Sequence, residues 1–227
     1  MAIDSFPVLS ALLQWSPALV AGFGQNILIS LLAIAIGSVL GLLIGALALS
    51  PLGLVARLWV QVFRNAPWLV LIYFTTYVFP FEIHIGSSYV SFPDWVKVTL
   101  GLALPASANV AEIFRGAIGS IPSTQWEAAR SLAFTRGQLF RSIILPQCFK
   151  RMLPPWMNLY AVVTMGTALA SLVGVHDVID TAQIASNTVN MTGFTVVIYL
   201  SLLMLFFAYC YPISRLTQHL ERRYAFY

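Results

Sequence analysis

The stretch PSTQWEAARSLAFTRGQLFRSIILP, residues 122–146, decides how this sequence is read. It is the longest polar and charged interruption in an otherwise very apolar chain. Thr124 followed by Glu127 has the spacing of a capping box: the hydroxyl takes a backbone N–H of the first turn and the carboxylate reaches back to the cap. Glu127 also suits the positive end of a helix dipole. Ala128, Ala129, Arg130, Leu132 and Ala133 are good helix formers, so the pattern predicts a short helix over 124–135, with Gly137 as its stop. Trp126, Ala129, Arg130 and Ala133 fall at helical spacing on one face. A new apolar segment begins at Leu139. A capped helix held outside the lipid between two apolar segments fits a handle for another protein; the competing reading is an amphipathic piece lying on the membrane surface.

Outward from this stretch, the composition is that of a membrane protein. Of 227 residues, 59% are hydrophobic and only 9% charged, far below the charge of a soluble domain. Whole segments lack the polar face that a soluble core helix would keep. The period-two alternation of a membrane barrel is absent, so the class is all-α, a single domain over 1–227. Cys148 and Cys210 lie far apart in or beside apolar segments and read as small buried hydrophobes. No spacing suggests a metal site or a disulfide.

Five transmembrane helices are expected. Met1 to Ala21 has one acid and no base, unlike a secretory signal, and reads as a lead-in broken by Pro7 and Pro17. The first span covers 22–49 and carries Gly37, Gly41 and Gly45 at i, i+4, i+8, a small-residue ridge for close helix approach. After a turn at Ser50-Pro51-Leu52-Gly53, the second span covers 58–79, with Arg64 and Pro67 inside it. Arg64 is costly there unless it snorkels or pairs, and Glu112 is the natural partner. Residues 80–95 read as a loop in which His84 is a surface residue. The third span covers 95–116 and is kinked by Pro105. The fourth covers 139–173, too long for one straight helix; Pro146, Pro154 and Pro155 are expected to break it, with the true crossing from Pro155. Residues 174–192 are polar and contain a short outer helix. The fifth span covers 193–214.

Orientation follows from charge. Arg57, Arg115, Arg130, Arg136, Arg141, Arg215, Arg222 and Arg223 fall on one side; the other has Lys97 and five acids, Asp4, Glu82, Asp94, Asp177 and Asp180. The positive-inside rule puts the N-terminus outside and the capped helix and C-terminus in the cytoplasm. The net charge of +4 is thus topological and implies no nucleic acid.

Several words narrow the family. Glu127-Ala128-Ala129, with Ile143, Leu145 and Pro146 at matching spacing, resembles the "EAA" loop of ATP-binding-cassette (ABC) importer permeases. Arg64-Asn65-Ala66-Pro67-Trp68-Leu69-Val70, Ala111-Glu112-Ile113-Phe114-Arg115-Gly116, Ser120-Ile121-Pro122 and Leu145-Pro146-Gln147 resemble its polar-amino-acid branch. The resemblance runs from about Gly22 to the basic tail. It implies the type I importer permease fold in the inner (cytoplasmic) membrane of a bacterium. The partners it implies are a second permease subunit, a dimer of ABC ATPases that bind ATP and Mg, and a periplasmic solute-binding protein. It implies ATPase coupling through Thr124, Trp126, Glu127, Ala128, Ala129 and Ala133, and a solute that is a polar amino acid or related molecule.

Three departures from the family pattern stand out. Ala133 replaces a usual glycine, which calls for a right-handed backbone at that position. Asn109 replaces a usual tyrosine. Met165-Gly166-Thr167-Ala168-Leu169 stands where Lys-Asp-Thr-Ser-Leu is usual, removing both charges of an internal solute site. Either this subunit is the non-binding half of a heterodimer, the reading slightly favoured, or Asn109, Thr164, Gly166 and Thr167 hold the solute. Glu112 with Arg64 or Arg115 forms a candidate gate; snorkelling to the headgroups is the alternative.

No motif does bond chemistry. There is no phosphate-cradling glycine loop, so ATP hydrolysis belongs to a partner and this chain itself needs no cofactor. His176-Asp177 is an outer-loop dipeptide with no nucleophile beside it. An intramembrane enzyme and a purely structural membrane subunit are the alternative classes; uptake that requires a separate ATPase separates them from a transport subunit.

Overall fold

The computed structural model describes residues 7–85 and 88–224. Its elements in chain order are α1 (Pro7–Leu47), α2 (Gly53–Asn65), α3 (Trp68–Val78), the strands β1 (Glu82–Ile85) and β2 (Ser88–Ser91), α4 (Asp94–Gly119), α5 (Ser123–Ser131) and α6 (Arg136–Leu139). A π-helical turn (Phe140–Ile144), α7 (Leu145–Gly166), a 3₁₀ segment (Thr167–Val173), α8 (Val178–Val189) and α9 (Thr192–Tyr224) follow. By length and composition, α1, the run from Arg136 to Val173 and α9 are long and apolar enough to cross a membrane. α4 is 26 residues long but carries charges at both ends, and α3 has 11 residues.

The glycine ridge of α1 packs on α4, as the spacing predicts. A methyl group on Gly37 would lie 2.7 Å from the Ala106 Cβ, one on Gly41 2.5 Å from the Ser107 carbonyl, and one on Gly45 2.7 Å from the Phe114 ring. Only hydrogen fits in that seam, so the two helices meet nearly backbone to backbone. Around this pair the core divides along the bundle. A central cluster joins Ile29, Ile34, Ile72, Leu102, Val110 and Val163. At one end Leu19 and Phe23 of α1 meet α8 and α9. At the other, Phe114 and Ala117 meet α5, α6 and the start of α7.

Prolines act differently from expectation. α1 is one helix from Pro7, not a broken lead-in followed by a span at 22–49: Pro17 cannot donate to the Leu13 carbonyl, but the Ser16 hydroxyl does so instead at 2.8 Å. α7 likewise runs through Pro154 and Pro155 without a break. The irregularity lies upstream, where the Leu145 N–H reaches back five residues to the Phe140 carbonyl. That wider turn accommodates the ring of Pro146. Pro67, in contrast, ends a helix. Ala66 is extended (φ −73°, ψ 138°), as a residue before proline prefers, and the span expected over 58–79 is two helices, α2 and α3. α9 passes Pro212 and extends well beyond Ser214.

Residues 80–95 are not a plain loop. β1 and β2 form an antiparallel hairpin with Glu82 opposite Ser91 and His84 opposite Tyr89, the one departure from an all-helical chain among the described residues. Nothing is described of the His84 side chain. The base of the hairpin is pinned by Lys97, which is fully buried, with its ammonium 3.1 Å from Asp94 Oδ1 and 3.5 Å above the Phe81 ring. A carboxylate and an aromatic face replace the water that this cation loses.

Candidate functional site

The segment between α4 and α7 is a rigid bracket. Pro122 (φ −55°, ψ 140°) caps α5, so Thr124 sits inside the first turn and the capping box expected of Thr124 and Glu127 does not form. The box is made eleven residues later than expected of its head, at the next helix: Gln138 N–H donates to Thr135 Oγ1, and Thr135 N–H donates to Gln138 Oε1 at 3.0 Å. Gly137 lies within α6 and stops nothing. α5 ends instead at Ala133, whose φ is +56°, a left-handed backbone where the sequence called for a right-handed one. The Ala133 N–H donates to the Arg130 carbonyl and the Phe134 N–H to the Ala129 carbonyl at 3.1 Å. These two bonds are the Schellman closure, which requires a left-handed residue regardless of side chain. The bracket is tied back to α4 by Arg151, whose guanidinium donates to the Ser120 carbonyl at 2.6 Å and to its hydroxyl at 3.0 Å.

Burial then sorts the coupling candidates. Ala129 is 1% exposed and faces Phe114, Ala117 and Ile144, so it anchors α5 to its own chain and presents nothing outward. Trp126 is half-buried against the same cluster. Thr124, Glu127, Ala128 and Ala133 are exposed, and Leu132, unmarked by the sequence reading, is 71% exposed. The outward face is therefore Thr124, Glu127, Ala128, Leu132 and Ala133, while Ala129 and part of Trp126 turn inward.

At the same end, α2 and α4 bring three expected charges together. Glu112 accepts from Arg115 Nε at 2.9 Å and Nη2 at 2.6 Å, and from Arg64 Nη1 at 3.4 Å. The Arg115 contact is a two-pronged fork within one helix; the Arg64 contact is the longer one and crosses between helices. The three charges border a cavity of ≈ 510 Å³ whose floor is Gly45, Ala48, Ala56 and Ala111.

The four pathway candidates do not converge. Thr164 and Thr167 are fully buried, with hydroxyls donated to the Tyr160 and Thr164 carbonyls at 3.0 and 2.7 Å. Gly166 is covered by Trp68: a methyl group there would lie 2.7 Å from the indole ring. The Asn109 amide donates to the Pro105 carbonyl at 2.8 Å, within its own helix. Thr167 belongs instead to a cluster that sequence reading missed. The Asn26 amide donates to Thr167 Oγ1 at 3.1 Å and to Asp177 Oδ2 at 3.0 Å, and its carbonyl accepts from the Val178 N–H. Asp177, fully buried, caps α8 by accepting from the Asp180 N–H at 2.9 Å. Burial pushes its carboxyl above the ordinary carboxylate range, against the pull of the Asp180 N–H and the Asn26 amide. The available signals were Asn26, an amide within a long uncharged run, and the Asp177–Asp180 cap spacing.

Comparison with known proteins places this geometry. Residues 37–226 match the family described as binding-protein-dependent transport system inner membrane component. The chain is 31% identical over 230 residues to a probable amino-acid ABC transporter permease, YckA, of Bacillus subtilis, covering 100% of this chain and 93% of that protein. It is 29% identical over 212 residues to the L-cystine transport system permease TcyB of the same organism, covering 91% and 86%. Among solved structures, an amino acid ABC transporter with histidines superposes with a TM-score of 0.82 at 28% identity, over 93% of this chain and 96% of that one. The MetNI methionine ABC transporter, inward facing, shares the fold with a TM-score of 0.65 at 18% identity, over 89% and 95%. With the family matched over most of its length, the chain belongs to the binding-protein-dependent transport system inner membrane components, and its fold is that of an ABC importer permease.

Proposed function

We propose that this chain is one membrane-spanning half of an ATP-driven importer for a polar amino acid or a related small solute. The observation that carries the reading is the bracket around α5, closed by the Schellman turn, capped by Thr135–Gln138 and braced by Arg151, which holds a polar helix out of the core. A helix so fixed transmits force without bending, which is what a lever needs. A separate ATPase dimer grips its outward face, Thr124, Glu127, Ala128, Leu132 and Ala133, and hydrolyses ATP with Mg; closure of that dimer switches the pathway between outward and inward states. The amino-acid class rests on the relatives, a probable amino-acid permease and an L-cystine permease.

The chain crosses the membrane five times, with α2 and α3 sharing one crossing, the N-terminus outside and α5 and the tail in the cytoplasm. A second permease subunit, a different chain in preference to an identical one, completes the pathway, and a solute-binding protein delivers to the outer mouth. Thr164 and Thr167 are fully buried and Gly166 lies under Trp68, so the half-buried Asn109 is the pathway candidate left to this subunit. This favours the non-binding half of a heterodimer. At the inner mouth, Arg64, Glu112 and Arg115 act as a gate. Reconstitution of the purified complex into vesicles tests the reading: solute uptake that stops without ATP supports it, and uptake by this chain with no ATPase bound overturns it. A catalytic or purely structural membrane role predicts no uptake in either case.

A further inference from the structure

Between α5 and α6 lies a second cavity, of ≈ 430 Å³. Trp126, Phe134, Leu139 and Phe140 form apolar walls, and Arg130 and Arg136 stand beside them. Both arginines are exposed, and among the described residues neither is within ion-pair distance of a carboxylate. The walls are fixed in advance, because the left-handed turn at Ala133 and the cap at Thr135 bracket them on both sides. A concave apolar pocket beside two unpaired guanidinium forks matches one kind of occupant: an apolar side chain with a carboxylate next to it.

We propose that this cavity seats a segment of the ATPase that inserts an apolar side chain between Trp126, Phe134 and Phe140 and lays a carboxylate against Arg130 and Arg136. The inference rests on the reading of α5 as the ATPase handle and specifies the chemistry of the partner's side. A protein surface fits better than a lipid one. The exposed residues around the cavity are mostly polar, Ser131, Thr135, Arg136 and Gln138, and the exposed apolar ones, Leu132 and Phe134, make only a small patch. Preformed walls reduce the ordering cost of docking, and the paired charges set the register of the helix in its groove.

The test is the full complex, isolated through a tag on this chain after co-expression with its ATPase and second permease. The charge-reversal variant R130E/R136E is expected to retain roughly tenfold less ATPase per permease, while R130K/R136K, which keeps the charge, retains most of it. A salt series is the arm that survives poor folding of the reversed variant. ATPase release from the unmodified complex is expected to steepen between about 0.1 M and about 1 M salt relative to R130Q/R136Q, since exposed charge pairs are screened over this range. Full retention by the reversed variant, or equal salt slopes, overturns the pocket while leaving α5 as a handle. Loss of binding to phosphatidylglycerol vesicles with retention intact overturns it in favour of a membrane contact. An unmodified complex that carries no ATPase removes the underlying reading itself.

Discussion

The Asn26 amide donates to the Asp177 carboxylate at 3.0 Å across 151 positions of sequence, joining the first helix to the start of α8. Both residues are fully buried, and Gly22, one turn earlier, lets the Asp177 backbone close on α1: a methyl group there would sit 2.9 Å from it. Removing the amide leaves Asp177 without its interhelical donor. Asn26→Ala should therefore cost about 1–3 kcal/mol, the usual penalty for a buried acceptor stripped of its partner. Thermal unfolding of the purified subunit checks it; an unchanged transition would mean that water replaces the amide freely.

The same carboxyl makes a pH prediction with a defined sign. Its folded pKa lies above the unfolded value because burial disfavours the charged form. In the window between the two values the folded state binds more protons, so stability falls as pH rises. The contribution of Asp177 is fully present below about pH 4, the unfolded value, and is lost as pH rises through the folded one. Asp177→Asn, which keeps the cap, should flatten that slope. The nearby Asp180 charge adds to the upward push on the Asp177 carboxyl, so its effect on that group is part of the slope the substitution removes. Equal slopes in the two proteins would sink the assignment.

Ala133 offers a test of backbone strain. A left-handed non-glycine residue costs about 1–2 kcal/mol, and glycine escapes it at the expense of some unfolded-state entropy. Ala133→Gly should stabilise the subunit by about 1 kcal/mol, a few degrees in melting temperature for a chain of this size. Ala133→Val, with a branched side chain at φ +56°, should destabilise it further. A lower melting temperature for the glycine variant would show that the turn is not strained.

These cases also show which parts of the architecture could be read in advance. Gly37, Gly41 and Gly45 announce a close helix contact because a period of four places them on one stripe, and stripes are local, but they do not name α4 as the partner. The Arg64–Glu112 pairing was legible because charges in apolar helices have few partners to choose from. The Schellman turn at Ala133 was not, since propensity argues against alanine there and the hydrogen bonds of the loop outweigh it. Ser16 rescuing the carbonyl opposite Pro17 depends on a rotamer, and a capping box at Thr135 in place of Thr124 depends on which residue reaches extended geometry first. The inward turn of Ala129 depends on where α4 and α7 lie, which no spacing within α5 encodes.

The seam itself predicts a contrast between glycines of one helix. Gly41→Ala must displace the Ser107 carbonyl or part the helices, an overpacking cost of about 1–3 kcal/mol. Gly24→Ala meets nothing within 4 Å and relieves a helix-interior glycine, a gain of about 0.5–1 kcal/mol. Opposite signs of the two melting-temperature shifts would support backbone-to-backbone packing; a harmless Gly41→Ala would refute it.

The charge cluster supplies the functional prediction. Glu112 holds Arg115 by two short bonds within α4 and Arg64 by one longer bond across to α2. A contact that must open during transport should be the weaker one, and the 3.4 Å bond to Arg64 is the one that joins separate helices. Glu112→Gln keeps the shape, removes the charge and leaves two arginines facing one another across the cavity, a repulsion that favours the parted arrangement. Assembly should be normal, because the side chains are partly exposed, α4 is held to α1 by the glycine seam, and α2 keeps its Trp59 indole bond to the Ser107 hydroxyl at 3.0 Å. Uptake by reconstituted complex should fall about tenfold, since a gate biased open by little more than 1 kcal/mol spends correspondingly less time closed. ATP hydrolysis in the absence of solute should persist, as expected when the lever at α5 is intact and only the path is leaky. Uptake equal to that of the unmodified complex would leave the three charges as ordinary surface residues and remove the gate.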